Sequence, residues 1–353
     1  MTEFLTDYGL FLAKTATWLI AILFVVAFIA ESARRRKHND GEIEVESLND
    51  HFRDLKETLE DSILDEYRLK AIHKAQKKQD KEDAKARKKA AKSDEEDEDE
   101  RKRLYVIDFD GDIHASEVDA MREEISAIIA MARETDEVVV RLESSGGLVH
   151  SYGLASSQLE RIRRRNIPLT ICVDRVAASG GYMMACIANR LIAAPFALIG
   201  SIGVVAQIPN FHRLLKKNDV DYEVLTAGDY KRTLTMFGEN TDKGREKFVE
   251  ELEDTHSLFK EFVSEYRPQL DIEKVATGEV WFGRRALENQ LIDQIETSDD
   301  YLFNLSEEAD IYKVKYRPKQ TLQDKLQNMG VSALSQLASR AWGAVSQSRF
   351  WVR

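Results

Sequence analysis

The stretch Ala177-Ala178-Ser179-Gly180-Gly181-Tyr182 limits what this chain can fold into more than any other. An apolar run of strand length, Pro168-Leu169-Thr170-Ile171-Cys172-Val173, precedes it and Met183 to Ala188 follows. The pattern predicts a strand that turns through small residues into a helix, with Ser179 at the turn. A hydroxyl in that place stands beside unpaired backbone N–H groups and the positive end of the helix dipole, a setting that can stabilise an oxyanion. The same residues also fit an ordinary helix start, with serine as N-cap and glycines allowing close packing. By itself the motif leaves both readings open.

Three further segments bear on the choice. Val138-Val139-Val140-Arg141-Leu142 predicts a buried strand that breaks at Glu143-Ser144-Ser145-Gly146-Gly147, a second glycine pair whose bare backbone can supply another N–H. Ala197 to Val205 places the Ser201 hydroxyl between Gly200 and Gly203 in an apolar run, where a buried polar group should have a partner. Tyr222 to Ala227 predicts a strand ending in Gly228-Asp229-Tyr230-Lys231-Arg232-Thr233, which puts a lysine at a strand end, where functional groups collect in layered α/β proteins. A serine nucleophile needs a base. Of the seven histidines, His38, His51 and His73 fall in the charged N-terminal region; His114, His150, His212 and His256 have no setting as good as that of Lys231. A lysine serves as base only when neutral, and bringing one from about 10.4 to about 7 costs roughly 4 to 5 kcal/mol. That demands burial away from carboxylates and a hydroxyl to orient the amine, which Ser201 can supply. An ordinary surface lysine beside Arg232 is the competing reading.

Taken in order, Ser-Gly-Gly-Tyr at Ser179 to Tyr182, Gly-Ser-Ile-Gly-Val at Gly200 to Val204 and Tyr-Lys at Tyr230 and Lys231 resemble the signal peptide peptidase A family of Ser-Lys serine peptidases. The likeness covers nearly the whole chain, including Ala276-Thr277-Gly278-Glu279-Val280-Trp281-Phe282-Gly283, Ala286 and Leu291-Ile292-Asp293. It implies Ser179 as nucleophile, Lys231 as general base and Ser201 hydrogen-bonded to that lysine, with backbone N–H groups at Gly146, Gly147 and Gly180 as the oxyanion hole. It also implies an α/β fold of the crotonase-like (ClpP-like) kind, built of repeated ββα units, and assembly as a homo-oligomer. The substrates it implies are peptides: signal peptide remnants or other extended hydrophobic segments. Two positions depart from the family. Ser145 stands where the turn is usually Ser-Pro-Gly-Gly, so the fixed φ of proline is missing beside a proposed oxyanion donor. Asn289-Gln290 stands where glycine often precedes the Leu-Ile-Asp triplet, and asparagine tolerates the same left-handed backbone.

The 353 residues are 43% hydrophobic and 32% charged, but the two are unevenly spread, and the chain divides into four parts. Residues 1–33 form an expected transmembrane anchor: Leu10 to Ala30 is apolar apart from Lys14, Thr15 and Thr17 and is about long enough to cross a bilayer. A secretory signal peptide competes with this reading, against which Glu3 and Asp7 stand in place of a basic cluster. Arg34-Arg35-Arg36-Lys37 places the following domain in the cytoplasm by the positive-inside rule, whereas the family resemblance places it on the other face of the bacterial plasma (inner) membrane. Residues 34–103 form an expected charged linker, an exposed helix passing into a disordered stretch, with an unbroken acidic run at Asp94 to Glu100. With a net charge of -11 and no aromatic residue from Lys74 to Lys102, no nucleic-acid partner is expected.

Residues 104–318 form the expected catalytic domain, opening with a strand at Leu104 to Phe109. A helix follows, on which Val118, Met121, Ile125, Ile128 and Ile129 recur at helical spacing, started by Ser116 with Asp119. Strand, helix and strand in turn argue for an α/β sheet. Asp108, Asp110 and Asp112 have metal-loop spacing without the downstream glutamate such a loop needs, so a turn is expected. Lys243 to Tyr266 reads as a long helix ended by Pro268, and Cys172 and Cys186 read as buried thiols. Residues 319–353 form an amphipathic tail. No metal, nucleotide or other cofactor is called for. The expected activity is a membrane-anchored serine endopeptidase, against which stand a crotonase-type thioester enzyme and an inactive membrane scaffold.

Overall fold

The computed structural model describes residues 41–90 and 101–318, together with residues 11, 14, 15 and 17. The expected membrane-crossing segment lies outside the described residues apart from those four, as do residues 91–100 and the C-terminal tail from 319 onwards. Among the described residues no helix is long and apolar enough to cross a membrane. One compact unit spans Ile43–Tyr316; Met1–Glu42 and Arg317–Arg353 make up a second, of which few residues are described.

The sheet is built on β2 (Arg103–Gly111), β3 (Glu137–Ser144) and β4 (Leu169–Val173), with β6 (Arg190–Ala193), β9 (Gln294–Ile295) and β10 (Asp310–Pro318). These pair in the order β10-β2-β3-β4-β6-β9, each pair parallel. Central parallel strands are covered on both faces, so they read as unbroken apolar runs, and all five residues of β4 are buried. Alternation along β2 separates two cores. Tyr105, Ile107 and Phe109 face one side and pack with α3 (Val118–Met131) and α4 (Val149–Arg163), through Met121, Ile125, Tyr152 and Leu159. Leu104 and Val106 face the other side with Val139, Cys172, Ile192 and the Tyr301 and Leu302 side chains of α10 (Ser298–Leu305). Cys172 and Cys186 are buried and free.

Part of the stretch expected as a linker is folded. It forms β1 (Gly41–Ser47), next to β10 in the sheet order, then α1 (Leu48–Ile63) and α2 (Glu66–Ala90). Ser47 caps α1 by accepting the Asp50 N–H at 3.2 Å. Asn49 fixes the start of α1 to the β10 end of the sheet: its amide donates to the Ser306 and Ala309 carbonyls and its oxygen accepts the Ile311 N–H at 2.7 Å.

A second, shorter ladder branches from the end of β3. Ser144 pairs with Ala177 of β5 (Val176–Ala178), β5 pairs with β7 (Leu198–Gly200), and β7 pairs antiparallel with β8 (Val280–Phe282). The branch brings the turn after β3 and the turn after β5 side by side at the carboxyl ends of the strands, where open α/β sheets place their ligands.

The predicted strand at Tyr222 to Ala227 does not form. Between β7 and α7 (Asp242–Tyr266) the only regular element among the described residues is α6 (His212–Lys217). Residues 205–232 are mostly exposed; of their apolar side chains, the Phe211 and Tyr222 rings lie 6.0 and 5.7 Å from that of Phe237, a few residues further on. β7 pairs with β5 on one side and β8 on the other, and residues 222–227 add no strand to this ladder.

Candidate active site

Ser179 is held in a backbone conformation that serine rarely adopts, φ 53° and ψ −119°, between β5 and the short helix α5 (Gly180–Ala185). Such a left-handed non-glycine residue costs of order 1–3 kcal/mol and persists only where its surroundings fix it. Its N–H donates to the Gly200 carbonyl at 2.8 Å, and its carbonyl accepts the Met183 N–H at 3.0 Å. The side chain makes no capping bond. The ordinary N-cap reading therefore fails at Ser179, whose hydroxyl has no hydrogen-bond partner among the described residues.

The glycines around it are required by space. A Cβ on Gly180 would meet the Tyr152 ring at 2.4 Å, and one on Gly181 would meet the Ser144 carbonyl oxygen at 2.5 Å. Gly146, at φ +88°, lies so close that a Cβ would stand 2.8 Å from both the Ser179 Cβ and the Gly180 nitrogen. The structure thus brings Gly146 and Gly180 against Ser179, while Gly147, next in the chain, packs on the Ile113 backbone; the three glycine N–H groups are not equivalent. That of Gly146 donates to Ser144 Oγ at 3.1 Å. Those of Gly147 and Gly180 have no acceptor among the described residues, Gly180 being the first residue of its helix.

Ser201 lies one residue past the carbonyl that binds Ser179. It too has a left-handed backbone, φ 50°, and its N–H donates to the Glu279 carbonyl at 2.6 Å. Its side chain is half-buried. Lys231 is exposed in the turn Gly228–Lys231, where its N–H donates to the Gly228 carbonyl at 3.2 Å. Among the described residues no hydrogen bond or ion pair joins its ammonium to Ser179 or Ser201.

Other candidates resolve simply. Asp112 is a turn residue: its carboxylate accepts the Ser116 N–H at 2.8 Å, the Ser116 hydroxyl at 2.7 Å and the His114 N–H, bonds that hold it below the usual carboxylate range. Asp108 pairs with Arg141 and Lys313, and no metal-binding cluster of His, Cys, Asp and Glu occurs among the described residues. Burial pushes the Cys172 and Cys186 thiols far up, which leaves them inert as nucleophiles.

Sequence reasoning missed Ser144 and Tyr152, whose hydroxyls lie 2.5 Å apart beneath the glycine turn. The signal was a tyrosine on the apolar face of a helix following a Ser-Ser-Gly-Gly turn. It also missed Arg267, which is buried and forks onto Asp293 at 2.7 and 2.9 Å.

Residues 3–159 match the N-terminal domain of peptidase family S49, and residues 161–349 match peptidase family S49 itself. This chain belongs to peptidase family S49. It is 53% identical over 323 residues to the "Probable protease SohB" of Haemophilus influenzae, covering 91% of this chain and 92% of that protein. A "Probable protease SohB" of Buchnera aphidicola is 52% identical over 303 residues, covering 86% and 99%. The "Protease 4" of Haemophilus influenzae is 26% identical over 55% of this chain and 32% of its own length. Among solved structures, the 1510-N membrane-bound stomatin-specific protease in complex with a substrate peptide aligns with a TM-score of 0.40 at 14% identity, over 64% of this chain and 96% of that one. The S49 chain described here is accordingly a serine peptidase, a hydrolase on an α/β framework.

Proposed function

We propose that this S49 peptidase is a membrane-anchored endopeptidase that cuts signal peptide remnants or other extended hydrophobic peptides with a Ser-Lys dyad. The observation that carries the proposal is the strained, uncapped Ser179, which opens the helix at Gly180 and has the Gly146 turn packed against it, its hydroxyl without a hydrogen-bond partner among the described residues. Neutral Lys231 takes the proton from Ser179 as its oxygen attacks the carbonyl carbon of the scissile bond. The two free N–H groups receive the oxyanion, and Gly146 acts by close approach, since its own N–H is engaged. The protonated lysine then gives its proton to the leaving amine, and water releases the acyl group from Ser179. Ser201 orients the amine.

This dyad requires the exposed segment that carries Lys231 to reach the serine. Val205, Leu225 and Tyr230 on that segment are 80%, 91% and 48% exposed, a spread of apolar surface that supports homo-oligomeric assembly. The alternation of strands and helices, with a second ladder branching from β3, supports a crotonase-like arrangement of ββα units. The apolar segment Leu10 to Ala30 supports a single-pass anchor in the bacterial inner membrane.

The test is hydrolysis of a hydrophobic signal-like peptide by the detergent-solubilised chain. Ser179→Ala and Lys231→Ala are each expected to lower kcat by at least about a thousandfold while the protein stays folded. An inert wild type, or full activity in either variant, would overturn the dyad.

A further inference from the structure

The Gly147 and Gly180 N–H groups, which have no acceptor among the described residues, belong to different turns, and a hydrogen-bonded chain and an aromatic ring run between those turns. The Gly146 N–H donates to Ser144 Oγ at 3.1 Å, Ser144 Oγ lies 2.5 Å from Tyr152 Oη, and Tyr152 Oη donates to the Asp112 carbonyl at 2.7 Å. With the tyrosine proton on Asp112, the serine proton goes to the tyrosine oxygen at 2.5 Å, its other acceptor, the Gly111 carbonyl, lying farther off at 3.3 Å, so each hydroxyl donates and accepts along the chain. Ser144 is 2% exposed and Tyr152 is fully buried, so neither bond is lost to water.

The ring of Tyr152 does a second thing. It lies under Gly180, where a Cβ would come within 2.4 Å of it, while a Cβ on Gly111 would meet the Ser144 and Tyr152 hydroxyl oxygens at 2.5 and 2.6 Å. Glycines from three chain segments, at Gly111, at Gly146 and at Gly180 and Gly181, thus converge on these two side chains. One end of the chain fixes the turn that carries Gly147, and the ring fixes the start of the helix that carries Gly180.

We propose that Ser144 and Tyr152 are positioning residues that set the separation between the Gly147 and Gly180 N–H groups, doing through hydrogen bonds what a proline at position 145 would do through a fixed φ. The inference rests on the oxyanion role proposed above for those two groups. Donors preorganised for a developing charge lose their value steeply when misplaced by about 1 Å.

The test compares wild type, Ser144→Ala, Tyr152→Phe and the double variant in the full-length chain. Tyr152→Phe keeps the ring against Gly180 and removes only the hydroxyl. Each single variant is expected to lower kcat about ten- to a hundredfold with KM within about twofold, because the donors act on the transition state and not on the bound peptide. The double variant is expected to match the weaker single variant within about twofold, since either change breaks the same chain. Amide hydrogen exchange at Gly146, which needs no substrate, is expected to speed up about tenfold or more in all three. A rise in KM with kcat preserved, or losses that multiply in the double variant, overturns the inference. Unchanged exchange overturns it whatever the activity. If wild type cleaves no better than Ser179→Ala, the proposed role of Ser179 falls instead, and exchange alone decides whether the two side chains hold the turn.

Discussion

At Ser179 the cost of a left-handed backbone is met by two hydrogen bonds and by neighbours that have no Cβ. Gly146 shows how little room is left. Besides its φ of +88°, a Cβ would lie 2.7 Å from the Ala178 carbonyl oxygen, a backbone atom that cannot swing aside. Gly146→Ala is therefore expected to destabilise the fold by about 1–3 kcal/mol and to lower kcat more than it changes KM, read by urea unfolding and peptide hydrolysis. Stability within experimental error of wild type would show that the turn can relax. Gly153, against which a Cβ would meet nothing within 4 Å, is the control: Gly153→Ala on the same helix as Tyr152 is expected to be neutral or slightly stabilising.

At the scale of elements, two buried charges join helices to the sheet. Arg267, at the end of α7, is 3% exposed and forks onto Asp293 just before β9, whose Oδ2 also accepts the Leu191 N–H at 2.7 Å. Burial alone would raise the Asp293 carboxyl, but the bonds from Arg267 and Leu191 outweigh it and hold it below its ordinary value. Asp293→Ala leaves a buried guanidinium without its partner and is expected to cost about 3–5 kcal/mol in denaturant unfolding; a loss under about 1 kcal/mol would count against the clamp. Glu124 on α3 behaves oppositely. Burial pushes its carboxyl up to about 7, with Glu117 and Asp108 adding to the shift and the Tyr316 N–H of β10 opposing it at 2.8 Å. The folded chain holds that proton more tightly than the unfolded one, so this stabilisation is complete below pH 4.5, the ordinary value, and is lost as pH rises through about 7. Glu124→Gln is expected to flatten the fall in stability between about pH 5 and about pH 8, gaining about 1–2 kcal/mol at the upper end. An unaltered pH profile would exclude Glu124 as its source. Elements also show a limit of pattern reading: the first helix of the catalytic domain was expected to start at Ser116 with Asp119, but the Ser116 hydroxyl is spent on Asp112 and α3 begins at Val118 without a side-chain cap.

At the scale of the whole molecule, the compact unit is unevenly covered. Its sheet is packed on both faces, whereas Val205, Leu214, Leu225 and Tyr230 on the segment after β7 stand in solvent. Under the proposed assembly, Val205→Asp with Leu225→Asp is expected to lower the mass of the solubilised protein in analytical ultracentrifugation and to lower activity with it. An unchanged mass would remove these side chains from any contact between copies.

The sequence by itself determined the parts whose signals are local. β2, β3 and β4 were legible because strands covered on both faces are largely apolar runs, broken here only by a few polar residues such as Asp108, Arg141 and Thr170 that find partners. The Ser179 turn was legible because only small residues fit a reversal from strand to helix, and α7 because its apolar residues recur at helical spacing and Pro268 stops it. The tertiary structure alone decided which backbone groups are free. Among the described residues, the Ser179 and Gly146 N–H groups are engaged while those of Gly147 and Gly180 are not, and this depends on Gly200 and Ser144, which come from separate stretches of chain. It also decided against a strand at Tyr222 to Ala227, whose β-like composition pairs with no strand among the described residues, and so left Lys231 on an exposed turn. Periodicity records what a segment needs to bury; it does not record which partner supplies the hydrogen bond, and a serine turn becomes a candidate catalytic site only through those partners.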